Sequence, residues 1–147
     1  MLHEVVAALI IQSHKILLGQ RSATRRFYPG VWDVFGGHIE PGEQQQQTLV
    51  RELQEELGIT PTQWKYLETI AVPPSAFREE QTDPLILHLY LVMSWEGRPV
   101  NLQLDEHSAI GWFSLAEAVQ IPLADPRYPE LFARYLTSDS KNSDAMI

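Results

Sequence analysis

The sequence predicts an α/β layered domain, on three observations. Apolar, strand-like runs lie on both sides of one amphipathic helical segment, a further helical pattern follows near the end, and 147 residues suit one domain with one core. The elements follow in order. Residues 5–11 and 15–18 read as two strands, with Ser13-His14 as the turn between them. A loop carrying Arg21, Arg25 and Arg26 leads to the breaker pair Pro29-Gly30. Residues 31–35 form a short strand that Gly36-Gly37 ends. Pro41-Gly42 then precedes a helix over 43–57, whose start holds the polar run Gln44 to Gln47 and whose end Gly58 caps. Residues 64–72 read as a strand and 73–84 as a proline-rich loop. The strongest strand is 85–95, and a shorter one covers 110–113. Ser114 caps a brief helix through 119, and a last helix spans 128–136. The domain therefore covers 1–136, and the Ser-, Asp- and Asn-rich stretch 137–147 is expected to be a disordered tail.

Composition narrows the chemistry. There is no cysteine, which excludes disulfides, thiolate zinc sites and a cysteine nucleophile, and fits a cytoplasmic setting. Eleven Lys and Arg against nineteen Asp and Glu give a net charge of −8. Such a balance argues against a nucleic-acid partner, while an acidic protein can still hold phosphates through divalent cations. The apolar run 5–11 is too short to span a membrane, and it lacks the flanks of a signal peptide. No membrane partner is expected.

The central helix carries the chemistry. On a helical wheel Leu49, Leu53, Leu57 and Val50 share an apolar arc of roughly 100°, suited to packing on a sheet. Glu52, Glu55 and Glu56 share the neighbouring arc. Like charges at these spacings repel by roughly 0.2–0.5 kcal/mol per pair, and the second half of a helix disfavours anions. Arg51 can pair with Glu55 but cannot neutralise all three, so the cluster calls for a hard cation, Mg²⁺ rather than Zn²⁺. A solvated acidic face is the competing reading of these residues alone. The surrounding spacing decides between them. Gly37, five residues, Glu43, seven residues, Arg51-Glu52-Leu53, Gln54, Glu55-Glu56, Leu57 and Gly58-Ile59 form the pattern G-x5-E-x7-R-E-U-x-E-E-x-G-U, where U is a bulky aliphatic. A chance match is on the order of one in a billion per window.

With this pattern the chain resembles the Nudix family in its MutT-like branch, and 37–59 resembles that family's complete box. The resemblance implies an α/β/α sandwich with a mixed central sheet and one catalytic helix. It implies a Mg²⁺-dependent hydrolase, with Mn²⁺ able to substitute, that splits a phosphoanhydride bond by attack of water on phosphorus. Glu52, Glu55 and Glu56, with the carbonyl of Gly36, are the metal ligands it implies. Glu43, Arg51 and Gly58 are implied as support for the box, with Arg51 also counted among the catalytic residues. One departure lies at the entry to the box, where Phe35 stands in place of a frequent proline.

Outside the box the signals divide. Glu106, before Ile110-Gly111-Trp112-Phe113, resembles a family acid that assists metal or water, and reads equally as a solvated loop acid. His107 beside it reads as a loop histidine rather than a base. Arg21 and Gly37 are candidates for phosphate contact. Asp125 resembles a MutT-like residue near the base, with a turn or cap acid as the alternative. Trp32, Phe77 and Trp112 are aromatic candidates for the pocket, or core. The expected substrate is a nucleoside triphosphate, including oxidised purines, cleaved to a monophosphate and pyrophosphate. ADP-ribose or a nucleotide sugar is the alternative, on the faint sign of Pro74. A nucleotide-sensing domain without activity is the alternative of another class, opposed by the intact glutamates. Either a monomer or a homodimer is expected.

Overall fold

The computed structural model describes residues 3–22, 30–72 and 83–145, the side chains of 137–145 excepted. Arg25 and Arg26, and the 73–82 stretch with Pro74 and Phe77, lie outside the described residues. The chain runs β1 (His3–Gln12), β2 (Lys15–Arg21), β3 (Trp32–Asp33), β4 (Phe35–His38), α1 (Gln45–Leu57), β5 (Thr60–Val72), β6 (Leu85–Glu96), β7 (His107–Phe113), α2 (Leu115–Ala118) and α3 (Tyr128–Ala145).

Strand β1 is the axis of a mixed seven-stranded sheet ordered β3-β2-β1-β6-β5, with β4 also on β1 and β7 on β2. It runs parallel to β6 from His3↔Leu85 to Ile10↔Val92 and antiparallel to β4 and β2. Its side chains are buried on both faces, which explains the unbroken apolar run in the sequence. Ala7, Leu9 and Ile11 enter one core, with Leu87 and Leu89 of β6 and Leu131, Phe132 and Leu136 of α3. Val6, Ala8 and Ile10 enter the other, with Leu49, Leu53 and Leu57 of α1. The result is the expected α/β/α sandwich, with α1 on one face of the sheet and α2 and α3 on the other. No described helix is long and apolar enough to cross a membrane.

The turn between β1 and β2 has positive φ at both Ser13 (52°) and His14 (63°). This is the geometry of a two-residue hairpin that favours Asn-Gly. Ser13 does not favour this conformation, and His14 tolerates it less well than Gly would. Replacing the pair by Asn-Gly should stabilise the domain by about 1 kcal/mol and raise Tm by a few degrees in a thermal melt.

Several boundaries differ from the sequence reading, among them β7, which begins at His107 rather than at 110. The glycines expected to end a strand lie inside β4, because Gly36 and Gly37 pair with Ala7 and Val6. The expected single strand over 31–35 is two, β3 on β2 and β4 on β1. Strand β5 begins at Thr60, not at 64; Pro61 is tolerated because β5 lies at the sheet edge. Helix α3 continues beyond Leu136 to Ala145. Propagating a formed helix adds a hydrogen bond per residue, so Ser, Asp and Asn can extend what the packed first turns nucleate.

Candidate active site

Helix α1 begins at a cap supplied by its own polar run. The Gln44 N–H donates to Gln47 Oε1 at 2.7 Å, and Gly58 ends the helix with φ of 70°. Leu49, Leu53 and Leu57 are buried on the sheet as the wheel requires, while Val50 is half-buried. Thr48 is buried as well, and its hydroxyl donates to Glu43 Oε1 at 2.6 Å.

Arg51 ties the helix to the preceding loop. Its Nε and Nη2 grip the two Glu43 oxygens at 2.7 and 3.0 Å, and Nη2 also donates to the His38 carbonyl at 3.1 Å. Its Nη1 donates to Glu52 Oε1 at 2.9 Å and, more loosely, to Glu55 Oε2 at 3.4 Å. A forked guanidinium suits such bidentate pairing. The Arg51 and Thr48 hydrogen bonds hold Glu43 down at about 2, and Glu43 in turn raises Arg51 above its usual value.

Glu56 lies where the acidic arc meets the sheet and is 6% exposed. Its Oε1 accepts from the Gly36 N–H at 3.1 Å. Burial, and then the charges of Glu52, Glu106 and Asp33, push its pKa up to about 8. Burial also raises Glu52, against the pull of Arg51. Two glycines make the arrangement feasible. At Gly36, with φ of 151°, a Cβ would stand 2.0 Å from the Val6 carbonyl oxygen. At Gly37 it would stand 2.3 Å from Glu52 Oε1.

Among the described residues, ligand atoms of Glu56, Glu106 and His107 converge, all within 4.8 Å of one another. Glu52 and Glu55 face the Arg51 side. This donor set fits a divalent cation: a buried carboxylate whose charge is disfavoured, neighbouring acids, and an imidazole.

Two cavities adjoin here, sharing Gly36, Gly37, His38, Glu56 and Glu106. The smaller, about 380 Å³, is walled by Glu52, Glu55 and Gln103. The larger, about 520 Å³, reaches Arg21, Asp33, His107, Asp125 and Tyr128. Asp33 Oδ1 accepts from the Val34 N–H at 2.8 Å and from the Tyr128 hydroxyl at 2.5 Å. Asp125 is buried and grips Arg127, whose N–H, Nε and Nη2 donate at 2.9, 3.0 and 2.8 Å. It is therefore a turn acid at the entry to α3 and a cavity wall at once. Trp32 and Trp112 do not line the cavity. Trp32 packs edge-on against Phe113 at 4.8 Å, and Trp112 stacks on Trp95 at 6.1 Å. Phe35 is core, 1% exposed, with its ring against His107. Sequence reasoning missed Asp33, Tyr128 and the place of His107 in the site. A carboxylate in the apolar run Trp32-Asp33-Val34-Phe35 was the one available signal for Asp33.

A mixed sheet flanked by helices, a glycine-bearing strand leading into an acid-rich helix, and a nucleotide-sized cavity define a phosphoanhydride-hydrolase architecture. The NUDIX domain family model matches residues 1–135. A CTP pyrophosphohydrolase of Escherichia coli (strain K12) is 44% identical over 130 residues, covering 88% of this chain and 89% of that protein. An 8-oxo-dGTP diphosphatase of Proteus vulgaris is 30% identical over 93 residues, covering 63% and 78%. The solution structure of the E. coli ORF135 protein superposes with a TM-score of 0.73 at 37% identity, covering 92% of this chain and 89% of that one. The chain belongs to the Nudix family, as a MutT-like hydrolase.

Proposed function

We propose that the protein hydrolyses nucleoside triphosphates to a monophosphate and pyrophosphate, with cytidine nucleotides as the preferred substrates. The observation that carries this reading is the pair of acids, Asp33 and Asp125, in the wall of the cavity that adjoins the carboxylate cluster. Carboxylates accept hydrogen bonds. They suit a base edge that offers an amino group, as cytosine does, and oppose the carbonyl that uracil presents there. The CTP pyrophosphohydrolase named above agrees with this choice. An oxidised purine is the second reading, because its N7–H is a donor that such a carboxylate can accept. The 8-oxo-dGTP diphosphatase relative favours keeping it.

In this reading the hydrolase unit is 1–136. Glu52, Glu55, Glu56 and the Gly36 carbonyl would hold Mg²⁺, and the ion would supply neutralisation of phosphate charge and a water of lowered pKa. Glu106 lines the edge shared by the two cavities, where its carboxylate would help to hold the cation or its water. Arg21 contacts phosphate, and Gly37 lets the backbone approach it. Arg51 works as a positioning residue: its bonds to Glu43, His38 and Glu52 fix the loop against the helix.

A product assay across CTP, dCTP, UTP, 8-oxo-dGTP, ADP-ribose and a sugar nucleotide tests the reading. With Mg²⁺, CTP and dCTP should yield monophosphate and pyrophosphate fastest, and excess EDTA should abolish turnover. A preference for ADP-ribose would overturn the triphosphate assignment. Nucleotide binding without any turnover would replace the enzyme by a sensor.

Asp33→Asn offers a sharper test of base choice. The amide oxygen can keep the Val34 and Tyr128 hydrogen bonds, while its NH₂ presents a donor to the base. The ratio of kcat/KM for CTP over UTP should fall tenfold or more. Asp125→Ala should lower the same ratio. An unchanged ratio in both would remove the acids from base recognition.

A further inference from the structure

We infer that His107 is a nitrogen ligand of the metal site, and that with Glu56 and Glu106 it gives the site a preference for Mn²⁺ over Mg²⁺. The inference rests on the hydrolase reading for the presence of a divalent cation, and goes beyond it in the donor set and the selectivity.

The geometry comes first. One oxygen of Glu56, one of Glu106 and one ring nitrogen of His107 lie within 4.8 Å of one another. A divalent ion held at about 2.0–2.2 Å from each donor needs donor separations of roughly 3–4.4 Å, so little movement would close the set. Glu106 and His107 are neighbours in sequence, but Glu106 lies in the turn that precedes β7, so the alternation of a regular strand does not separate them. Here the ladder is broken. Gln20 faces Ala109 while Arg21 faces His107, so Ser108 is an extra residue in β7. A bulge of this kind re-aims a side chain.

The ring is held for the task. It packs against Phe35 with centroids 5.3 Å apart. On another side lies Gly19, where a Cβ would stand 2.8 Å from His107 Cδ2. The His107 N–H donates to the Gln103 carbonyl at 2.9 Å, and its carbonyl accepts from Asn101 Nδ2 at 2.7 Å. Glu56 supplies an independent sign. It is 94% buried by its 6% exposure, and among the described residues its carboxylate accepts one hydrogen bond, from Gly36 to Oε1. The second oxygen is left to the cavity. A buried carboxylate with an oxygen unserved by the protein fits a cation.

Donor chemistry then sets the preference. Mg²⁺ and Mn²⁺ both take carboxylates, but Mg²⁺ dehydrates reluctantly and keeps its waters, whereas Mn²⁺, a transition ion, accepts an imidazole nitrogen more readily than Mg²⁺ does. The Glu52 and Glu55 side of the site, beside Arg51, remains all-oxygen.

Pulsed electron paramagnetic resonance on the full-length protein loaded with Mn²⁺ tests this directly. The native protein should show ¹⁴N coupling from a bound imidazole. His107→Gln should lose it, and His38→Gln, at a residue that also lines both cavities, should keep it. In titration calorimetry with each metal alone, His107→Gln should weaken Mn²⁺ binding tenfold or more and Mg²⁺ binding less than twofold. Absence of ¹⁴N coupling in the native protein overturns the inference without need of any variant. So does an unchanged Mn²⁺/Mg²⁺ affinity ratio in folded His107→Gln. Turnover of triphosphates with Mg²⁺ but no ¹⁴N coupling would leave the hydrolase reading standing and remove His107. Coupling without turnover of any nucleotide would keep the ligand and remove the hydrolase reading.

Discussion

Glu56→Gln should lower kcat by about 100-fold or more, a loss of about 3 kcal/mol at the transition state, while making the metal-free protein more stable at alkaline pH. The two effects share one cause. Glu56 is buried beside Glu52, Glu106 and Asp33, and its carboxyl is pushed up from the usual 4.5 to about 8. The folded-state pKa is raised, so its contribution to stability is complete below about 4.5 and is lost as pH rises toward 8. The metal-free native protein should therefore melt at progressively lower temperature between pH 5 and 9. Glutamine keeps the shape, and its carbonyl can still accept from Gly36, but it cannot ionise. In EDTA at pH 9 the variant should melt above the native protein, and its melting temperature should vary less with pH. Removing a charge that serves catalysis at the expense of the fold commonly has this outcome. Stopped turnover with melting unchanged at every pH would detach the charge from stability. A folded variant with native turnover would remove Glu56 from the catalytic machinery.

The box was legible because its constraint is local. Spacing fixed by one helix and one loop puts Glu43, Arg51, Glu52, Glu55 and Glu56 at set positions whatever the rest of the fold does, and the leucine face at 49, 53 and 57 follows from the same period. The burial of Glu56 was less visible, since the wheel set it only beside the apolar arc and its neighbours come from other elements. Gly36 and Gly37 were misread as a stop because composition cannot show that β1 pairs with them. Asp33 and Tyr128 are far apart in sequence and meet only through the packing of α3 against the sheet. His107 was read as a loop residue, yet it begins β7, and the bulge that aims it depends on pairing with β2. The resemblance to the Nudix family supplied roles for the box residues that no single-chain pattern could have assigned, and it carried no information on the tilt of these later side chains.

Gly36→Ala should destabilise the domain by about 3 kcal/mol or more, whereas Gly37→Ala should leave it folded and impair turnover. The glycines are adjacent, and what each added methyl would meet makes the difference. At Gly36 the obstacle is the Val6 carbonyl oxygen at 2.0 Å and the Ala7 Cα at 2.9 Å, both backbone of the central strand. Neither can turn aside, and the φ of 151° is itself costly for any residue with a Cβ. Relief would require pulling β4 from β1, breaking the register that runs from Val5↔His38 to Ala8↔Phe35. At Gly37 the obstacle is the Glu52 carboxylate, with Oε1 at 2.3 Å and Cδ at 2.4 Å. This is the end of a flexible side chain, and it can rotate away while the strands stay paired. Rotation would cost it the 2.9 Å hydrogen bond from Arg51 and its place beside the cavity. Thermal melts and Mg²⁺-dependent turnover, measured on both variants, separate the outcomes. Gly36→Ala should drop in Tm by roughly ten degrees or more. Gly37→Ala should stay within a few degrees of native and lose about tenfold or more in kcat. Reversal of the two phenotypes, or native turnover in Gly37→Ala, would mean that the room left by Gly37 is not what sets the position of Glu52.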